Sequence, residues 1–174
     1  MKKFLTAFLS AVSILLAGEL IPCKVVRVID GDTFKCVPVN GSRVIKVRLM
    51  GIDTLETHNR RKAIRQAKWF SGGVDTVISF GKEAKKYAEK LIDKKIVFLE
   101  PSVRNKDKRG RMLAYVWLDE DKDKMLNVKL VEEGLAFVFI IPPQVKYLKE
   151  LGKAQEEAYE GRKGFWEFFK KGKQ

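Results

Sequence analysis

The sequence predicts one α+β domain, a small closed β-barrel of five strands carrying three helices. Short runs that alternate apolar and polar residues recur through the chain and are punctuated by Asp30-Gly31-Asp32 and Asn40-Gly41, both strong hairpin signals. Apolar stripes of helical period occupy 82–93, 125–133 and 144–160. A chain of 174 residues with 45% hydrophobic content can bury one substantial core, and is short for two.

Taken in order, residues 24–29 and 33–37 form strands around the first turn, with Val28 expected opposite Thr33. The third strand covers 43–50, where Ile45, Val47 and Leu49 alternate with Val44, Lys46 and Arg48. The result is a three-stranded meander, with the first and third strands expected to flank each other on barrel closure. Residues 58–80 break the periodicity. They are basic at Arg60, Arg61, Lys62, Arg65 and Lys68, carry Trp69-Phe70, and loosen at Ser71-Gly72-Gly73, which predicts a long functional loop. Trp69 and Phe70 fit two roles equally: stacking on a single strand of nucleic acid, or packing into the body.

The helix at 82–93 buries Ala84, Tyr87, Ala88, Leu91 and Ile92, and strands at 95–99 and 112–118 are joined by the polar loop 101–111. A helix follows at 125–133 and stops at Gly134; 135–141 is extended, and Pro142-Pro143 precede a last helix striped by Val145, Leu148, Leu151, Ala154 and Ala158. Phe165 and Trp166 are expected to pack back onto the body. Five short strands with helices between and after them suit an oligonucleotide-binding (OB) barrel.

Thirty-five Lys and Arg against 22 Asp and Glu give a net charge of +13, which favours a polyanionic partner, nucleic acid before an anionic membrane surface. Lys2 and Lys3 precede an apolar run over 4–17 that ends in small residues, the layout of a secretory signal. The run is shorter than the roughly 20 residues that span a bilayer, although an uncleaved anchor remains the alternative. The expected division is therefore 1–18 as signal and 19–174 as one domain, secreted or held in the periplasm or envelope. Two cysteines, Cys23 and Cys36, fall on one face of the first hairpin as diagonal neighbours. Such a diagonal spans about 7–8 Å, slightly beyond bridging distance, so a disulfide and two buried thiols are both open.

Three fragments could carry chemistry: 28–33, 48–56 and 107–115. Singly each has a plain reading, as a turn, a loop start and a solvated basic turn. Jointly they offer more. Asp32 and Asp53 at neighbouring strand ends, with a main-chain carbonyl, make an open oxygen site for a hard cation. Arg48 and Arg111 supply planar forks for a phosphodiester, and Glu56 is left to orient or deprotonate water.

These fragments, Asp-Gly-Asp-Thr, Arg-Leu-x-Gly-Ile-Asp-Thr-x-Glu and Gly-Arg-x-Leu-Ala-Tyr, resemble the thermonuclease (staphylococcal nuclease-like) family in order and spacing, from about residue 24 to 166. The resemblance implies a five-stranded barrel with three helices and calcium-dependent hydrolysis of DNA and RNA, water attacking phosphorus and the 5′ oxygen leaving. It makes Asp32, Asp53 and the Thr54 carbonyl the Ca2+ ligands, Glu56 the base, and Arg48 and Arg111 the phosphate clamps. Single-stranded substrates are favoured, and a monomer without a protein partner or stable membrane insertion is expected. The alternative is a module of the same family that binds nucleic acid with little or no cutting.

Three features depart from the family. Leu55 replaces the usual proline, which is expected to loosen Glu56, and 137–143 has no tyrosine where the founding enzyme packs tyrosines near the nucleotide. The loop 58–80 is also longer than in the founding enzyme. Asp119, Asp121 and Asp123 imitate a calcium loop, but Lys124 stands where glycine is required, so a solvated turn and helix cap is expected. His58, the single histidine, is expected to be an exposed bystander.

Overall fold

A computed structural model describes residues 20–140, 142 and 146–170. The expected signal segment lies outside these residues, as do 144 and 145 at the expected start of the last helix. Among the described residues, no helix is long and apolar enough to cross a membrane.

Strands β1 (Ile21–Asp30), β2 (Thr33–Pro38) and β3 (Ile45–Leu49) form the expected meander. With β5 (Ile96–Lys106) and β6 (Met112–Trp117) they close a barrel in the order β1-β2-β3-β6-β5, with β5 pairing back to β1. The predicted contact between first and third strands is corrected by this order: β2 lies between them, and β3 instead runs parallel to β6. A short outer ribbon is made by β4 (Ile52–Thr54) and β7 (Ala136–Val138), with Asp53 registered opposite Phe137.

The β1–β2 register departs from the expected one only near the turn, and Val25 still stands opposite Cys36. Val28 pairs with Phe34 and Asp30 with Thr33, because irregularities fall between Val25 and Arg27 and between Val28 and Asp30. Bulges of this kind increase local twist. Cys23 and Cys36 are the expected diagonal neighbours, with Val25 opposite Cys36; their Cα atoms are 5.8 Å apart, and the two are joined as a disulfide.

The segment expected to be a long loop is mostly helical. α1 spans Arg60–Ala67, capped by the Asn59 side chain on the Lys62 N–H, and α2 runs over Gly73–Ile92, starting well before the predicted 82. α3 (Leu126–Glu132), α4 (Leu148–Glu160) and a short 3₁₀ turn (Gly164–Phe168) follow, so the described residues hold four α-helices where three were expected. Leu151, Ala154 and Ala158 of the predicted stripe are buried, whereas Leu148 is exposed. Asp119 closes its turn by accepting from the Asp123 N–H at 2.8 Å. It caps nothing, since the N-cap of α3 is Met125 with no side-chain bond.

The inward residues of the barrel, among them Val25, Phe34, Val47, Leu99 and Val116, merge with Ala84, Ala88 and Ile92 of α2 and Leu126 and Leu130 of α3. A second apolar cluster sits outside the barrel, where Leu55, Ala63, Phe70 and Val77 meet Ala158, Phe165 and Trp166. The segment after β3 enters both, Met50 and Ile52 the first and Leu55 the second.

Candidate functional site

The β1–β2 turn brings Asp32 beside the end of β3, where the Leu49 N–H donates to the Asp32 carbonyl at 2.8 Å. Gly31 in this turn does not occupy the left-handed region; space is what demands it. A Cβ there would lie 2.7 Å from Ala84 Cβ and 2.8 Å from Thr54 Cγ2, so glycine lets α2 and β4 close over the turn. Asp32 is buried, and each of its oxygens has a partner. Its Oδ2 accepts from both the N–H and the hydroxyl of Thr54 at 3.0 Å, and its Oδ1 accepts from Thr33 Oγ1 at 2.9 Å.

Arg48, at the penultimate position of β3, spans the two acids. One nitrogen of its guanidinium pairs with Asp32, and the other lies 2.7 Å from Asp53 Oδ1. Burial pushes the Asp32 carboxyl up, but the Arg48 charge and the Thr54 N–H outweigh it and hold the group below its usual range. Asp53 goes the other way. Burial, then the negative charge of Asp32, raises it, with Lys62 and Arg48 offsetting only part. Asp30, beneath the same turn, is pushed up to about 6 by burial and by Asp32.

Glu56 follows on the loop out of β4, and its two oxygens are unequal. Oε1 accepts from the N–H groups of Thr57, His58 and Asn59 at 2.9, 3.1 and 3.2 Å, while Oε2 faces Lys62 Nζ at 3.9 Å. Burial opposes ionisation of Glu56, and those three N–H bonds overcome it, so the carboxyl sits below its usual range. Two contacts oppose the loosening expected from Leu55: its side chain is 2% exposed in the second cluster, and the Glu56 N–H is held by Gln66 Oε1 at 3.0 Å.

Arg111, from the turn before β6, is aimed by Asp107, which accepts from its N–H at 2.9 Å and its Nε at 2.7 Å; Nη1 then reaches Thr33 Oγ1 at 3.4 Å. All six predicted site residues, Asp32, Arg48, Asp53, Thr54, Glu56 and Arg111, line one cleft of about 600 Å³ at the end of the barrel. His58 stands exposed, its ring bonded to Thr57 Oγ1.

Two residues that support the cleft were not read as such from the sequence. Lys62 reaches Asp53 Oδ1 at 3.5 Å from α1, a helix whose buried face holds only Ala63 and Gln66 and so shows little apolar period. Buried Asn127 clamps β6 to the β3–β4 turn, accepting from the Val116 N–H at 3.0 Å and donating to the Met50 carbonyl at 2.7 Å. A lone asparagine opening a helix gives no sign of this.

The donor chemistry fits a hard cation. Two carboxylates already converge on one positive group, the Arg48 guanidinium, and both present oxygen only. Among the described residues no three His, Cys, Asp or Glu side chains gather as a ligand set, so backbone oxygen and water would have to complete any coordination.

Barrel and cleft together define an OB-type domain with an acid-and-arginine site at one rim. Residues 46–168 match the family described as staphylococcal nuclease homologue. The chain is 38% identical over 141 residues to a thermonuclease of Staphylococcus intermedius, covering 81% of this chain and 73% of that one. It is 35% identical over 143 residues to a thermonuclease of Staphylococcus hyicus, covering 82% and 74%. A further relative, the SPbeta prophage-derived endonuclease YokF of Bacillus subtilis, is 32% identical over 150 residues, 85% of this chain and 45% of its own length. The chain belongs to the staphylococcal nuclease family.

Proposed function

We propose that the chain is an exported, calcium-dependent nuclease that hydrolyses phosphodiester bonds of DNA and RNA, with water as nucleophile and the 5′ oxygen as leaving group. The observation that carries this is the sharing of one cleft by Asp32, Asp53, Glu56, Arg48 and Arg111. A domain that only bound nucleic acid would gain nothing from three carboxylates facing a polyanion.

Asp32, Asp53 and the Thr54 carbonyl would hold Ca2+, which when bound supplies positive charge to the phosphate. Arg48 and Arg111 orient the phosphodiester oxygens and stabilise the charge that develops on them. Glu56 keeps Oε1 tied to its own loop and turns Oε2 to the attacking water, whose proton it accepts. Asp32, which accepts from the Thr54 N–H, and the Leu55 packing hold the backbone on the way into that loop.

The N-terminal apolar run and the Cys23–Cys36 disulfide support export to an oxidising compartment. Residues 1–18 would be the signal and 19–174 a single monomeric domain. The test is incubation of the purified chain with single-stranded DNA, with calcium and with chelator, followed by analysis of the ends. Calcium-dependent cutting that leaves a 3′ phosphate is expected. Cutting that persists in chelator would remove the metal assignment, and binding without cutting would make the chain a binding module.

A further inference from the structure

α1 has the sequence Arg-Arg-Lys-Ala-Ile-Arg-Gln-Ala and contains no carboxylate. At about 100° per residue, Arg60, Arg61, Ile64, Arg65 and, just beyond the helix, Lys68 fall within an arc of about 140°. All five are exposed, while Ala63 and Gln66 on the opposite side are buried. Arg60, Arg61, Arg65 and Lys68 make no ion pair among the described residues. Unrelieved like charge along a helix is unfavourable, and a polyanion would relieve it. Lys62 sits at the edge of this strip, next to Arg61 and Arg65 around the helix, and its amine reaches Asp53 and Glu56. The strip therefore begins at the rim of the cleft.

At its other end stands Trp69, 50% exposed although its neighbour Phe70 is 1% exposed. The Trp69 backbone is fixed on both sides, its N–H donating to the Gln66 carbonyl at 3.0 Å and its carbonyl accepting from the Lys170 N–H at 2.8 Å. Its ring stands edge-on to Phe137 at 6.0 Å, and Phe137 is registered opposite Asp53. An indole held this firmly, with an open surface beside four unpaired cations, is a ready platform for a base.

We propose that α1 and Trp69 form a track for single-stranded nucleic acid leading away from the cleft, the cations holding phosphates and the indole stacking a base. This rests on the nuclease reading and adds to it a preference for strands long enough to leave the cleft.

The test measures binding of a short and a long oligothymidylate to the full chain in chelator, where nothing is cut, over a range of salt. Replacing Arg60, Arg61, Arg65 and Lys68 by alanine should weaken the long strand far more than the short one. It should also flatten the plot of log affinity against log salt by about 2–3, at about 0.7 for each phosphate left without its cation. Arg→Lys at 60, 61 and 65, which keeps the charge, should retain the slope, and Trp69→Ala should weaken the long strand roughly tenfold. Equal losses for both lengths, or an unaltered slope, overturn the track. So does binding to phosphatidylserine vesicles that depends on these residues while oligonucleotide binding does not. A chain that binds in this way yet cuts nothing with calcium sinks the nuclease reading and keeps the track; one that cuts, with binding unchanged in every variant, does the reverse.

Discussion

Gly81 of α2 lies against the main chain of Glu56: a Cβ added to this glycine would stand 2.5 Å from the Glu56 carbonyl oxygen and 2.8 Å from that of Leu55. The loop bearing the proposed base is thus backed directly by a helix with no side chain between them.

Gly81→Ala sets two effects against each other. Alanine inside a helix gains about 1 kcal/mol over glycine, but overpacking against backbone costs about 1–3 kcal/mol and no rotamer change relieves it. The clash should win. Calorimetry should show a net loss of about 1 kcal/mol, and turnover should fall at least tenfold as Glu56 moves; a more stable, fully active variant would refute the close approach.

Glu56→Gln keeps an oxygen for the three loop N–H groups and removes only the charge. The loop should stay in place while turnover drops by roughly 10²–10⁴, with oligonucleotide affinity in chelator little changed. Near-normal turnover would exclude Glu56 from the chemistry.

Leu55→Pro restores the residue usual in the family, yet it should destabilise this chain. The leucine side chain is buried against the outer cluster, and stripping away most of that packing should cost about 2–4 kcal/mol. Denaturant unfolding would show this as a lower midpoint with unchanged slope, and a stabilised variant would disprove it.

Reduction of Cys23–Cys36, which are 13 residues apart in sequence, should cost about 3 kcal/mol on the loop-closure estimate. Thermal melts with and without reductant, and of Cys23→Ser with Cys36→Ser, should agree on a fall of several degrees. Coincident melts would show that the barrel holds this hairpin without the bridge.

Glu100 gives a dependence on pH. Burial raises its carboxyl, but hydrogen bonds from Lys146, Trp117 and Tyr147 bring it below its ordinary value of 4.5. A depressed folded value means that its contribution is present above 4.5 and fades as the pH falls through the folded value. Glu100→Gln should therefore cost about 2 kcal/mol at neutral pH, and its deficit against the parent chain should shrink in acid. A deficit independent of pH would contradict the assignment.

The barrel was legible because its signals are local: Val47 and Leu49 alternate with Lys46 and Arg48, and Asp-Gly and Asn-Gly mark the turns. The six candidate site residues were read from motif fragments and line one cleft, although which strands would bring them together was misjudged. Strand order depends on closure, which no local pattern records; β2 separates β1 from β3, and Asp32 meets Asp53 by way of Arg48 and Thr54. The helices at 60–67 and 73–81 were hidden for another reason. Their buried positions are Ala63, Gln66, Val77 and Gly81, chosen for close approach to a loop more than for apolar bulk, so glycine and glutamine read as loop.

The outer ribbon has a consequence for biogenesis. Asp53 pairs with Phe137, and Leu55 shares the outer apolar cluster with Phe165 and Trp166, so the first third of the chain leans on the last. During synthesis the barrel meander can form while the loop that bears Glu56 still lacks its support. Cutting power should therefore emerge only once residue 166 has been delivered and docked, a delay that would spare the cell's own nucleic acid from a partly made chain.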